Sequence, residues 1–278
     1  RVGRESRRTC CPDGTAVALF ANGQLQVLDL ETGEARAGFK ATKQGLISWS
    51  RCGLYAEIDK DGLRRFDLEK KEAEPPIQYR AYQGSVAPDC WAFVPTPTGN
   101  ALLTNKGGLY ICVSRSQNAC GLPLSEFGVI SLDEATIVGV ARCDSKSYLL
   151  RYDGRGVWKQ RLQTEIAGAV KWCVGIPDGS RVTVGFSGGN LSQYSVSTFK
   201  VTNQMALGSW INALIARPDG AWLLAATSDK KLRVLRERDF LPLLTMDLES
   251  AGRELSVSEN GSVIAVSTGA RLTVYRRR

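Results

Sequence analysis

Residues 211–236, INALIARPDGAWLLAATSDKKLRVLR, read as three strands joined by two turns. Residues 211–217 are the first strand, closed by Pro218-Asp219-Gly220. Residues 221–227 are the second, closed by Ser228-Asp229-Lys230. In the third, Leu232, Val234 and Arg236 alternate with Lys231, Arg233 and Leu235. Runs of β-formers broken by Pro, Asp and Gly are the signal of strands and hairpins. A unit this small cannot bury both of its faces alone, so its partners are sought elsewhere in the chain.

The same pattern recurs along the chain. The turn after the first strand reappears as Pro12-Asp13-Gly14, Arg51-Cys52-Gly53, Pro97-Thr98-Gly99, Leu132-Asp133-Glu134, Pro177-Asp178-Gly179 and Glu259-Asn260-Gly261. Gly14 and Gly261 are 247 residues apart, six intervals of about 41, inside the range of propeller blades. An apolar strand follows each marker, as in TAVALF, NALLTN, RVTVGF and SVIAVS. Next comes a tight turn, such as Asn22-Gly23, Asp61-Gly62 or Gly107-Gly108, whose residue types suit two-residue hairpins. A third, alternating strand (QLQVLDL, LRRFDL, LSQYSV, RLTVYR) and a less regular fourth (ARAGFK, PIQYRA, VWKQRL, PLLTMDL) complete the unit. No segment keeps helical periodicity. The expected fold is all-β: a seven-bladed β-propeller of four-stranded antiparallel blades, one domain over residues 1–278. The blades are expected near 5–41, 45–81, 90–126, 127–166, 170–207, 211–248 and 253–278. The last unit stops after its third strand, so the seventh blade is expected to lack one. Flanking chain or a partner is expected to cover that open edge, because an unpaired edge invites pairing.

Pro12-Asp13-Gly14-Thr15 and Val27-Leu28-Asp29-Leu30-Glu31-Thr32-Gly33 resemble a WD-repeat unit, whose third strand typically ends in Trp-Asp. Arg65-Phe66-Asp67-Leu68 and Arg151-Tyr152-Asp153 do the same. Leu28, Phe66, Tyr152, Tyr194, Leu235 and Tyr275 stand in the Trp place, and only units one, two and four keep the Asp. The resemblance covers almost the whole chain with degenerate motifs. Its Gly-His dipeptide is impossible here, since the chain has 0 His. The Asp-His-Ser/Thr-Trp network of typical blades is therefore missing, and apolar packing is expected to hold the blades. The resemblance implies a scaffold, a rigid disc whose loops bind other proteins.

Composition bounds the chemistry. Without His, Ser-His-Asp and Cys-His arrangements cannot form, and metal sites built on imidazole are excluded. No phosphate-binding loop, dinucleotide fingerprint or EF-hand sequence is present. Ser187-Gly188-Gly189-Asn190 reads as a hairpin turn, and the carboxylate pairs Asp133-Glu134 and Asp59/Asp61 fall in turns where Asp bonds locally. The chain is expected to be no enzyme and to hold no cofactor or metal. Its 8 Cys include no Cys-x-x-Cys pair, and most lie in apolar strands. That use of Cys suits a reducing, intracellular compartment, with the cytoplasm expected and the nucleus open. No run of apolar residues is long enough to span a membrane. The chain begins at Arg1 rather than Met and is expected to be part of a larger protein.

One constellation is a candidate site. On a propeller, all turns between second and third strands emerge on one face, together with the connections between blades. That face is expected to carry Lys60, Lys106, Lys146, Lys230 and Lys231 from the turns, with Lys43, Tyr82, Trp210 and Arg253 from the connections. Lysines around a central channel, with a Trp and a Tyr, suit an acidic peptide or a nucleic-acid backbone. Asp59, Asp61, Asp144 and Asp229 stand beside four of the turn lysines and offset much of the field, and Trp210 at a strand start also suits a core position. The remaining tryptophans, Trp49, Trp91, Trp158, Trp172 and Trp222, read as packing between blades. The leading expectation is a protein–protein interaction module. An RNA- or ribonucleoprotein-binding module using the net charge of +8 is the alternative. A propeller hydrolase, which needs a metal or a triad, comes third.

Overall fold

The computed structural model describes residues 8–11, 13–21, 23–42, 47–50, 53–59, 62–75, 92–95, 101–105, 108–112, 129–131, 136–143, 146–153, 159–176, 179–217, 219–258, 260–268 and 271–276. Their strands form seven antiparallel sheets in chain order, each a meander. Sheet 1 holds β1 (Arg8–Cys10), β2 (Ala16–Ala21), β3 (Gln24–Asp29) and β4 (Ala35–Lys40). Sheet 2 holds β5 (Ile47–Ser50), β6 (Gly53–Asp59), β7 (Gly62–Asp67) and β8 (Glu72–Ala73). Sheet 3 holds β9 (Ala92–Pro95), β10 (Ala101–Asn105) and β11 (Gly108–Cys112). Sheet 4 holds β12 (Val129–Ser131), β13 (Thr136–Cys143), β14 (Lys146–Asp153) and β15 (Lys159–Ile166). Sheet 5 holds β16 (Val170–Gly175), β17 (Arg181–Phe186), β18 (Asn190–Ser195) and β19 (Val201–Ala206). Sheet 6 holds β20 (Ile211–Ala216), β21 (Trp222–Thr227), β22 (Lys231–Arg236) and β23 (Pro242–Asp247). Sheet 7 holds β24 (Glu254–Val257), β25 (Val263–Thr268) and β26 (Arg271–Arg276), three strands among the described residues. The first strands touch in succession, β1 to β5, β9, β12, β16, β20 and β24, and β24 touches β1. This is the architecture of a β-propeller.

The core lies between the sheets, which is why the second strands are apolar on both faces. In β21, residues Leu223 to Thr227 are all buried. Leu223 and Ala225 join Leu191, Ile211 and Leu235 toward sheet 5, while Leu224 and Ala226 join Leu232, Leu255 and Val266 toward sheet 7. Leu25, Leu54 and Phe66 fill the space between sheets 1 and 2, where the Phe39 and Phe66 rings lie 4.7 Å apart. Cys10, Val17, Val263 and Ala265 form the seam between sheets 1 and 7. Burial of such a side chain contributes about 1.5–3 kcal/mol.

Polar ties supplement the packing. Glu237, only 2% exposed, follows β22 and reaches back to sheet 5. There it meets Arg181 at 2.8 Å and accepts a hydrogen bond from Gln193 Nε2 at 2.5 Å. A buried carboxylate requires such partners. At the other side of sheet 6, Arg217 Nη2 donates to the Asn260 carbonyl at 3.1 Å, and Asn260 Nδ2 donates to the Asp13 carbonyl at 3.0 Å. The marker turns of sheets 6, 7 and 1 are thereby chained together. Cys10 N–H donates to Ser256 Oγ at 2.7 Å across the same seam.

One outer strand differs from expectation, and another falls outside the described residues. In the second unit the return strand is expected in PIQYRA, residues 76–81, which lie outside the described residues; among the described ones β8 forms at Glu72–Ala73. Lys71, at φ 56°, turns the chain at once, and Ala73 pairs with Phe66. In the fourth unit β15 continues beyond VWKQRL to Ile166, because β14 is 8 residues long and offers that much ladder.

Candidate partner-binding face

In sheets 5 and 6 the face is assembled by backbone hydrogen bonds between the hairpin turn and the connections beside it. Ser187 N–H donates to the Ala169 carbonyl and Leu207 N–H to the Gly189 carbonyl, both at 2.9 Å. In the next blade Ser228 N–H donates to the Trp210 carbonyl at 2.9 Å, and Leu248 N–H to the Lys230 carbonyl at 2.7 Å. Side chains reinforce this zipper. The Ser209 and Ser228 hydroxyls are 2.8 Å apart, and Asp229 N–H donates to Ser209 Oγ at 3.1 Å. Trp210 and the Lys230 turn are thus held as one surface. Trp172 Nε1 adds a hydrogen bond to the Ile211 carbonyl at 3.2 Å, fixing the residue after Trp210.

The hairpin turns need a left-handed residue, and three described copies supply it differently. Sheet 1 uses Gly23 at φ 71° and sheet 5 uses Gly189 at φ 82°. A Cβ on Gly189 would lie 2.2 Å from the Ser209 carbonyl oxygen, so only glycine fits there. Sheet 6 places Lys230 in the same role at φ 60°. A non-glycine residue in this region costs about 1–2 kcal/mol. Strain of this kind, held in place by surrounding bonds, marks a position for functional scrutiny.

Of the nine expected face residues, Lys43, Lys60, Tyr82 and Lys106 lie outside the described residues, as do Asp133, Glu134 and Asp61. Lys146 is exposed but ion-paired with Glu165 at 3.0 Å, and this bond raises its pKa. Lys231 stands 3.6 Å from Asp247. Lys230 and Arg253 are exposed and enter no ion pair among the described residues. Trp210 is 67% exposed, so it is a surface residue and not core. Trp172 and Trp49 pack against the core, and Trp222 is half-buried with the Arg217 guanidinium 5.4 Å above its ring. Trp91 and Trp158 lie outside the described residues.

The charge balance is not the one that sequence neighbours suggest. Asp229 is engaged by Arg233, with Nη1 and Nη2 donating at 3.1 and 2.6 Å, and it also accepts from Thr227 Oγ1 at 2.6 Å. The Arg233 bonds first, then that of Thr227, hold its carboxyl far below the usual range. Arg271 pairs with Glu249. Asp229 and Glu249 are therefore engaged by other cations, and the Lys230 turn stays bonded to the Trp210 connection with its lysine outside any ion pair among the described residues. Sequence reading missed the Thr227-Asp229-Arg233 cluster, although the alternation in β22 puts Arg233 on the strand next to its turn. Among the described residues, no group of three or more Cys, Asp and Glu could hold a metal ion.

No protein-family model matches the chain, and no curated protein matches it. Solved structures do. The Myceliophthora thermophila Cps50 (Swd1) β-propeller domain superposes with a TM-score of 0.77 at 12% identity, covering 100% of this chain and 98% of that one. A chain of the mitotic checkpoint complex gives 0.76 at 13%, covering 98% and 87%. A chain of Kuenenia stuttgartiensis hydrazine synthase gives 0.74 at 13%, covering 99% and 96%. At such identities the likeness concerns the fold, and the same fold occurs in a complex named for catalysis. By its fold this chain is a β-propeller.

Proposed function

We propose that the protein is a non-enzymatic interaction scaffold within a larger assembly. An acidic segment of a protein partner docks on the face around Trp210, Lys230 and Arg253. The observation that carries this is the pairing of a two-thirds exposed Trp with a strained Lys whose neighbouring acids are otherwise engaged. Exposed tryptophans and cations are the residue types that anchor interfaces. The occurrence of this fold in the mitotic checkpoint complex supports an assembly role. Among the described residues no strand pairs with the outer edge of β26, and this edge is a second place where flanking chain or a partner strand fits. An intracellular site is the reading supported by the free thiols of Cys11 and Cys173.

The test is fluorescence anisotropy of a labelled peptide that mixes Glu and Asp with one Phe, titrated with the protein at low salt. The peptide binds, and Trp210→Ala or Lys230→Glu weakens binding at least tenfold, about 1.4 kcal/mol. No binding at low salt overturns the proposal. Tighter binding of single-stranded RNA than of the peptide, with a steep salt slope, moves the reading to the nucleic-acid alternative.

A further inference from the structure

The outer edge of sheet 6 is unusual among the described outer strands. Leu241, Leu243 and Leu244 are 47%, 52% and 50% exposed, and Pro242 stands among them. The other long outer strands show water mainly polar groups: Arg36 and Lys40 on β4, Arg161 and Glu165 on β15, and Thr202 and Gln204 on β19, where Val201 at the strand start is a single exposed large apolar residue. The contrast is sharpest at one position. In four sheets the ladder between third and fourth strands slips by one residue. The inserted residue is Arg36, Arg161 and Thr202 in sheets 1, 4 and 5, and Leu243 in sheet 6. Outer strands are ordinarily blunted by charge or polarity against pairing with another edge. The centre of β23 is not.

The exposed apolar residues lie on both sides of the edge. Leu244 pairs with Val234, which packs toward sheet 7, whereas Pro242 pairs with Leu235, which packs toward sheet 5. A helix laid on one face would cover only one side. An added strand carries side chains over both. The charges sit at the two ends: Arg238 at one, with its side chain 68% exposed, and Asp247 at the other, 88% exposed. Arg238 is 3.7 Å from Asp239, but Asp239 is already gripped by Arg236 through bonds of 2.8 and 2.6 Å.

We infer that the edge of β23 pairs with β23 of a second copy of this chain, antiparallel about a two-fold axis. The pairing joins two four-stranded sheets into one of eight strands. With the two-fold at Leu244, that residue faces its own copy, Leu243 faces Thr245, and the Arg238 end of each strand points toward the Asp247 end of the other. Parallel pairing would set like charge against like. Closed two-fold contacts of this self-complementary kind are the commonest protein assemblies. Pro242 has no N–H and faces Met246 in this register, so the new ladder is confined to 243–245. A ladder this short buries less than the roughly 1,200 Å² of a standard interface, so the dimer is weak.

Sedimentation velocity of the protein across about 5–500 µM tests this, a span suited to weak association. The sedimentation coefficient rises with concentration to that of a dimer. Leu243→Lys and Leu244→Lys, at exposed positions, leave the melting temperature unchanged and abolish the rise. Arg238→Glu weakens association at least fivefold, and Asp247→Arg added to it restores association. A protein that stays monomeric throughout overturns the inference. A dimer indifferent to the leucine substitutions, or a charge swap that fails to restore pairing, does so equally.

Discussion

Lys230 occupies a backbone conformation that sheets 1 and 5 assign to Gly23 and Gly189. Replacement by glycine removes that strain. Lys230→Gly is therefore expected to stabilise the protein by about 0.5–1 kcal/mol, after allowing for the freer unfolded chain of glycine. Urea unfolding checks this through a higher midpoint at unchanged slope. Glu237 shows the opposite balance. Its carboxylate is 2% exposed and engages Arg181 and Gln193 across two sheets. Glu237→Ala strands a partly buried guanidinium and is expected to cost about 2–3 kcal/mol, because breaking a buried pair leaves its partner uncompensated. A loss below 1 kcal/mol in the same unfolding assay would mean that the tie adds nothing. Neither residue stood out in the sequence. Glu237 lies 44 positions from Gln193, and only the stacking of blades brings them together.

The turns between third and fourth strands carry a second kind of strain. Phe199 and Phe240 sit at φ 53° and 58°, yet both are buried, at 6% and 2%. Each ring anchors its turn in the core between sheets, offsetting the backbone term. Phe240→Ala is expected to cost about 3–4 kcal/mol, in the range for truncating a buried aromatic, and calorimetry should show one lowered transition. First, second and third strands were legible in the sequence because their signal is local: Pro-Asp-Gly and Asn-Gly turns bracket short apolar runs. Outer strands were harder to place. In β23 only Met246 is less than exposed, and in β19 alternate residues are. An outer strand lies beyond the core, so its hydrophobic alternation fades. In β8, two residues carried no pattern at all.

For the molecule as a whole, the absence of His removes the usual side-chain titration between pH 5 and 8. Asp29 is held down to about 2 by the Thr32 N–H first, then by Arg36. Asp239 is held down to about 2 by Arg236 first. Asp229 is lowered further by Arg233. Folded-state values below the usual 3.8 mean that these carboxylates stabilise the fold fully above pH 3.8. That contribution is lost as pH falls from there toward 2. The melting temperature is expected to be flat from pH 5.5 to about 8 and to drop below about pH 4. A step near pH 6.5 would contradict this. Seven sheets could be counted from the period, and the candidate face followed from the topology. Which cations on it stay unpaired could not, since Lys146 finds Glu165 at 19 residues' distance and Arg271 finds Glu249 at 22. Trp210 was equally opaque, because the same ring suits a core and an interface.

The central claim, that Lys230 is kept for binding at some cost to stability, is tested most directly by the affinity of Lys230→Gly for the Glu- and Asp-rich peptide at low salt. This substitution preserves the turn, so loss of fold cannot explain a change. The expected result is binding at least fivefold weaker, about 1 kcal/mol, in a protein that melts higher than the wild type. An unchanged affinity in the stabilised variant would contradict the assignment of this face.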